Sequence, residues 1–471
     1  MRINWQDPKV ITAVVVLAII VVGIFSGRII TGFSYKFALA LIAGSLILTL
    51  ILINTDAGLA VLIFSMLLSP EIVIGQVPGR DIVIRFEDLL LAIITFTWFA
   101  KTAINKGVAI FIKTPLNKAI GVYILVCILS TLRGTIFGYV GPAKGLFYLI
   151  RYIEYFLLFI LVANHIHSKK QIKFFLSAFF ITCALVSFYG ILQIPTGRRV
   201  SAPFEGEVGE PNTFAGYLLF MFCIAGGILL QNVPRRLKGT LVGLCILIFI
   251  PFLYTLSRAS YLAIIFSYIA FIIYSKKKTV LITTMATIVL IGVILRPETI
   301  FSRVKYTFQE QQQYAVKLGN ITLGPSASAR IYSWQDGFEA WKKHPFLGRG
   351  VAGFIFIDGQ YIRTLPELGL AGLLAFLWLL WTILKNSLGI HKKMQCELYK
   401  GLTLGFLAGF IGLAIHSVTS NTFIIIRIME PFWFMAGIVV MLPTLEEEER
   451  KEEELTTEAP ELKKIYVSRY T

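Results

Sequence analysis

The sequence predicts an all-α fold, a polytopic bundle of about 12–14 membrane-crossing helices with one large loop that itself contains short helices. Three observations carry this expectation. Hydrophobic residues make up 56% of the chain and charged residues only 15%, more apolar surface than a soluble domain of 471 residues can hide. Mean hydropathy is correspondingly high, at +0.75. Finally, the apolar residues come in blocks of the length a bilayer demands, about 20 residues each.

Reading those blocks in order gives spans at 10–26, 36–54, 57–70, 87–103, 118–138, 147–164, 171–194 and 212–231. The second half continues with 238–255, 260–275, 279–296, 367–385, 401–419 and 424–443. The first block has only Arg2 and Lys9 before it and no A-x-A cleavage pattern after it, so a retained helix is expected there. Three regions follow from the pattern: N-terminal helices at 1–194, a second helical domain at 195–443, and a charged tail at 444–471. The tail reads "EEEERKEEELTTEAPELKK", a solvated charge run expected to be a frayed helix or disordered.

The net charge of +17 does not point to nucleic acid. The cations sit in short connections between apolar blocks: Lys101 to Lys118, Lys169 to Lys173, Arg235 to Lys238, Lys276 to Lys278 and Lys385 to Lys400. All fall on one side if both termini are cytoplasmic, which is the positive-inside signal for the topology of a multi-pass membrane protein. Cys127, Cys183, Cys223, Cys245 and Cys396 show neither disulfide-framework nor metal-ligand spacing, and no metal or other cofactor is called for.

The opposite side receives 70–86, 195–211, the tight "TLSRAS" turn around Arg258, and the long segment 297–366. A connection that long is more often functional than idle. Within it Ile331, Trp334, Phe338 and Trp341 recur at helical spacing, so an amphipathic helix is expected, capped by Ser326 or Ser328 and ended by Pro345 and Gly348. "GRGVAG", Gly348 to Gly353, fits a dinucleotide fingerprint in letters but has no strand before it, and reads as a flexible turn. Arg151 and Glu154, three apart, are expected to neutralise each other, and His416 to be a hydrogen-bonded structural residue.

The outward arginines admit two readings. Arg198, Arg199, Arg258 and Arg330 converge on one cavity, where guanidinium forks suit the oxygens of a diphosphate, or each pairs with Glu205, Glu207, Glu210 or Asp336.

In the order "GEPNTFAGYLL", "TLSRASYLAI", "SASARIYSWQDGFEAWKKHPFLGRGVAGF", "DGQYIRTLPELGLAGLL" and "IMEPFWFMAG", residues 195–443 resemble the bacterial O-antigen ligase and O-antigen polymerase superfamily. "RFEDLLLAIITF" and "IRYIEYFLLFILVAN" upstream are similar to it too. The resemblance implies a metal-independent membrane glycosyltransferase that moves a glycan from an undecaprenyl-diphosphate carrier to a glycan or lipid acceptor on the extracytoplasmic face. Membrane lipid and envelope polysaccharide assembly proteins are the implied partners. It places phosphate-binding arginines at Arg258 and Arg330. Where the ligases carry a histidine–asparagine pair ahead of a G-x-x-G helix start, this chain has Asp358–Gly359 ahead of Gly369–Gly372, which shifts the implication toward polymerisation or a related transfer. Asp358 then becomes the acceptor-side base or orienter, with Arg363 its partner and Glu367 either a second carboxylate for the same task or a helix N-terminal charge favoured by the dipole. Arg198, Arg199, Asn212 and Trp334 complete the substrate-binding candidates. A transporter or flippase for a lipid-linked or anionic substrate is the alternative, and a membrane scaffold a third.

Overall fold

The α-helices and their breaks follow from where the chain can and cannot satisfy its own backbone. The computed structural model describes residues 44, 49, 54–77, 80–104, 112–205, 209–295, 317–318, 321–322 and 324–458. The expected span at 10–26, most of that at 36–54, most of 297–323 and the tail beyond 458 lie outside the described residues. Two compact units are present, residues 1–65 with 72–110, and residues 66–71 with 111–471.

Helix α1 (Thr55–Leu68) belongs for most of its length to the first unit, which continues through a two-stranded ribbon, β1 (Glu71–Val77) and β2 (Arg80–Arg85), into α2 (Phe86–Ile104). The Asp88 carboxylate accepts from the Arg85 amide at 2.8 Å, satisfying one of the donors that a helix start leaves open.

The larger unit is helical: α3 (Asn117–Ile136), α4 (Pro142–His165), α5 (Lys169–Gln193), α6 (Pro211–Leu229), α7 (Arg235–Tyr254), α8 (Arg258–Tyr274), α9 (Lys278–Leu295), α10 (Pro325–Lys343), α11 (Gln360–Lys393), α12 (Glu397–His416) and α13 (Ile426–Glu458). A minimal ribbon, β3 (Lys317–Leu318) with β4 (Ile321–Thr322), precedes α10. Eight of the described helices are long and apolar enough to cross a membrane, and α1 and α8 are shorter apolar helices. The helical bundle is as the sequence predicts, with the two ribbons as local additions.

The centre of the bundle is α6 against α12, and glycine explains why. Gly227 faces Gly401 and Gly405, Gly405 faces Cys223 and Ile224, and Gly409 faces Phe220. A Cβ on Gly227 would lie 2.3 Å from the Gly405 nitrogen, so nothing larger fits. Small residues let backbones approach closely where lipid removes the hydrophobic drive between helices. Helix α13 covers this pair with Phe432, which stacks on Phe406, and with Trp433, edge-on to Phe156 of α4.

The basic connections come together at one end. Lys169 pairs with Glu449 at 3.4 Å, Lys277 donates to the Gln231 carbonyl, the Asn232 amide donates to Glu397, and Gln395 donates to Glu446. Four of the basic connections read from the sequence therefore share one end of the larger unit.

Two local expectations are corrected and a third is narrowed. Helix α11 begins at Gln360 and not near Glu367, and it is really two helices broken at Gly369 (φ 69°, ψ −169°). The amides of Leu370 and Ala371, freed by the break, donate to the carbonyls of Pro345 and Phe346. Gly324 takes the N-cap of α10 and Pro325 its first position, so neither Ser326 nor Ser328 is the cap. The acidic run after Leu445 continues α13 as helix to Glu458, supported by Lys451–Glu447 and Arg450–Glu454 pairs one turn apart.

Candidate functional site

At the end of the bundle opposite the basic connections, the chain between α5 and α6 folds over the α7–α8 turn. Arg199 donates from Nε to the Thr255 carbonyl (2.9 Å) and from Nη2 to Asn212 Oδ1 (3.2 Å). Leu256 adopts φ 52°, turning the chain sharply enough for Ser257 to cap α8 and to set Arg258 in its first turn. Arg198 is exposed beside this network.

The second part of the site is built by α10 and the segment before α11. Arg330 Nε lies 3.4 Å from Asp358 Oδ2, a pair with side chains 24% and 42% exposed. Among the described residues the two terminal nitrogens of Arg330 have no partner. Trp334, one turn on, donates from its indole to the Asp358 carbonyl at 2.6 Å. Gly359 follows at φ 106°, and a Cβ there would meet the Val418 carbonyl at 2.7 Å. Asn421 donates to the Ile357 carbonyl and the Gln360 amide to that of Ser417, so the turn after α12 clamps both sides of Asp358.

Helix register ties the two parts together. Gly216 in α6 lies against His416, whereas Gly227 meets Gly401, so α6 and α12 are antiparallel. Gly412 touches Leu219 of α6 and both Ala263 and Ser267 of α8, and Gly226 touches Phe271, so α8 runs with α6. At a rise of 1.5 Å per residue, His416 lies about 6 Å beyond Gly412 and Arg258 about 7.5 Å before Ala263, at the same level of the bundle. Arg330 is near enough to His416 for its charge to act on the imidazole. The buried His416 ring meets Thr422 Oγ1 at 2.8 Å through Nδ1, and its Nε2 has no partner among the described residues. Arg199, Asn212, Arg258, Arg330, Trp334 and Asp358 therefore gather at one end.

Arg363 and Glu367 do not join them as expected. They pair with each other, Nε to Oε1 at 3.0 Å, with side chains 7% and 3% exposed, so the partner of Asp358 is Arg330 and not Arg363. Arg151 and Glu154 pair at 3.3 Å, as read from their spacing.

Sequence reasoning missed Arg427, which holds the chain at Pro203 to Glu205 in place. Fully buried, it donates to the carbonyls of Pro203 and Phe204 and lies 3.9 Å from Glu205 and 3.7 Å from Glu71. Burial pushes the Glu205 carboxyl up to about 7, against the pull of Arg427 and of the Ala202 and Glu210 amides. The available signal was a lone arginine in the apolar run "TFIIIRIME". "GRGVAG" is a turn but a held one: Ser130 donates to the Leu347 and Glu367 carbonyls, Arg133 to that of Gly348, and the Gly350 amide to that of Glu367.

Residues 243–369 match the family model described as Wzy_C, O-antigen ligase. The matched segment contains Arg258, Arg330, Trp334, Asp358 and the Gly369 break. The match covers residues 243–369 of the 471 and supports the resemblance to the O-antigen ligase and polymerase superfamily. No curated protein matches the chain.

Proposed function

We propose that this chain is a membrane glycosyltransferase that moves glycan from an undecaprenyl-diphosphate carrier to an acceptor hydroxyl on the extracytoplasmic face of a bacterial inner membrane. The observation that carries it is the half-open Arg330–Asp358 pair, set at the same level as Arg258 inside the segment that matches the O-antigen ligase model. In this reading the acceptor oxygen attacks the anomeric carbon of the donor sugar. The bond from that carbon to the diphosphate oxygen breaks, its electron pair leaves with the diphosphate, and the acceptor proton passes to the Asp358 carboxylate. Arg330 holds Asp358 through Nε and offers its terminal nitrogens to the departing oxyanion. Arg258 supplies the second cation, and Trp334 fixes the backbone of Asp358. The side-chain base in place of the ligases' histidine favours polymerisation or a related transfer.

The test is the purified full chain with a synthetic undecaprenyl-diphosphate oligosaccharide, with EDTA and then with added magnesium. Lengthened glycan, or glycan moved to an acceptor, is expected from the parent. Loss of transfer is expected in well-folded Arg258→Ala, Arg330→Ala and Asp358→Asn. Activity under EDTA supports a metal-free reaction, and the product distinguishes polymerase from ligase. Donor binding without release of the carrier diphosphate, across a range of acceptors, overturns transfer in favour of transport.

A further inference from the structure

A second cationic cluster lies apart from the residues that carry the proposed transfer, where the end of α3 meets the "KKHPFLGRG" turn. Arg133 sits on the last turn of α3, with its guanidinium 5.3 Å from the Phe137 ring centre. Its Nη1 donates to the Gly348 carbonyl, and its Nη2 lies 3.4 Å from His344 Nδ1. Arginine cannot accept a hydrogen bond, so Nδ1 is the acceptor, and His344 is the neutral tautomer carrying its proton on Nε2. Burial holds the His344 imidazole below its ordinary value, and the charges of Arg133, Arg349 and Lys343 lower it further. Arg349 stands over the Tyr139 ring at 5.7 Å and over Phe354 at 5.4 Å, and its buried Nε has no hydrogen-bond partner among the described residues. Tyr139 also packs on the His344 ring, at 4.7 Å between centroids.

The charged side chains of this cluster, Arg133, Lys343 and Arg349, are all cations. Among the described residues no carboxylate pairs with Arg133, Lys343 or Arg349. Cations packed this closely repel one another, and a shared anion is what relieves that repulsion. The rim is apolar: Ile136 is 78% exposed, Phe137 63% and Phe346 76%. A bare phosphate has no use for such a rim. A lipid does, because its acyl chains lie against the apolar side chains while its phosphate reaches the guanidinium forks.

We propose that Arg133, His344 and Arg349 form a binding site for the phosphate of an anionic membrane lipid, at the membrane surface where α3 ends. The site is independent of the glycosyl-transfer reading, since it requires only that α3 span the bilayer. Its occupant bridges α3 to the turn whose carbonyls, at Pro345 and Phe346, hold the Gly369 break in α11.

The test uses the full chain in phosphatidylcholine nanodiscs, with phosphatidylglycerol titrated in and retained lipid counted by native mass spectrometry. Preferential retention of phosphatidylglycerol by the parent is expected. Arg349→Gln and Arg133→Gln should each weaken retention at least about tenfold, the scale of one lost charge-assisted contact. Lys392→Gln, which removes an exposed charge at the end where the basic connections gather, should leave retention unchanged. Arg349→Gln loses the ring contacts with Tyr139 and Phe354 and Arg133→Gln the bond to the Gly348 carbonyl, so thermal midpoints are measured alongside and retention is compared where parent and variants are all folded. Equal retention by parent and Arg349→Gln overturns the site. Inorganic phosphate competing as well as short-chain phosphatidylglycerol overturns its assignment to a lipid.

Discussion

The carboxylates of two arginine–carboxylate pairs, Asp358 and Glu367, stand nine residues apart around the start of α11, and the pairs do different work. Arg330–Asp358 is open to its surroundings, held at 3.4 Å through a single nitrogen, with the rest of the guanidinium uncommitted among the described residues. Arg363–Glu367 is closed, at 3.0 Å and almost wholly buried, with the arginine also over the Phe356 ring at 5.2 Å. A buried pair must satisfy itself, because each charge alone in a low dielectric is costly. A half-open pair can exchange its partner for a substrate. Charge near a bilayer thus has two stable arrangements here, one that ties the short first helix of α11 together and one that is available for chemistry.

The largest effect should come from breaking the closed pair. Glu367→Ala or Arg363→Ala leaves an uncompensated buried charge, with a loss of about 3–5 kcal/mol, read as a lower thermal midpoint in detergent. The double change Arg363→Met with Glu367→Leu should recover much of that stability. If each single variant is as stable as the parent, the two pairs do not differ in kind.

The open pair should behave in the opposite way, losing turnover while keeping the fold. Asp358→Asn is expected to lower transfer by about 10²–10⁴-fold, the range for loss of a positioned base. Arg330→Ala should lower it by about 10²–10³-fold, as for a lost oxyanion donor. Arg330→Lys should rescue little, because an ammonium cannot reproduce the fork. A thermal midpoint for Asp358→Asn falling as far as that of Glu367→Ala would erase the distinction.

Glu205 sharpens the comparison from outside it. Its carboxyl is raised by burial to about 7 in the folded chain, so the folded state holds its proton more tightly than the unfolded one. Its contribution to stability is fully present below the ordinary carboxylate range and is lost as pH rises through about 7. Thermal midpoints measured from pH 5 to pH 8 should decline across that window in the parent and decline less in Glu205→Gln. The smallest effect is expected of Trp334→Phe, which removes one indole hydrogen bond to the Asp358 carbonyl, worth about 0.5–1.5 kcal/mol, and should cost transfer about tenfold or less.

Hydropathy and charge determined the architecture, because bilayer thickness imposes a length on each span and the basic connections choose a side. The helices from Asn117 to Tyr274 follow the apolar blocks closely, and "TLSRAS" was legible as a tight turn because it leaves too few residues for a solvated loop. The Arg151–Glu154 pair was legible for a similar reason, since a three-residue spacing closes within one helical turn. Candidate residues were legible as types: guanidinium groups and a carboxylate at one end of the bundle.

Partners were not legible, because they are set by contacts between residues far apart in the chain. Arg330 meets Asp358 across 28 positions, and Arg427 reaches Glu205 across more than two hundred. The same holds for the Gly369 break, whose freed amides meet Pro345 and Phe346 beside a turn that is held by Ser130 and Thr131 of α3. Sequence by itself determined which stretches become helices and which charged groups lie at their ends, since that follows from the local transfer energy of each span. Only the tertiary structure decided which arginine each carboxylate takes, and so which pair is buried and which is left open.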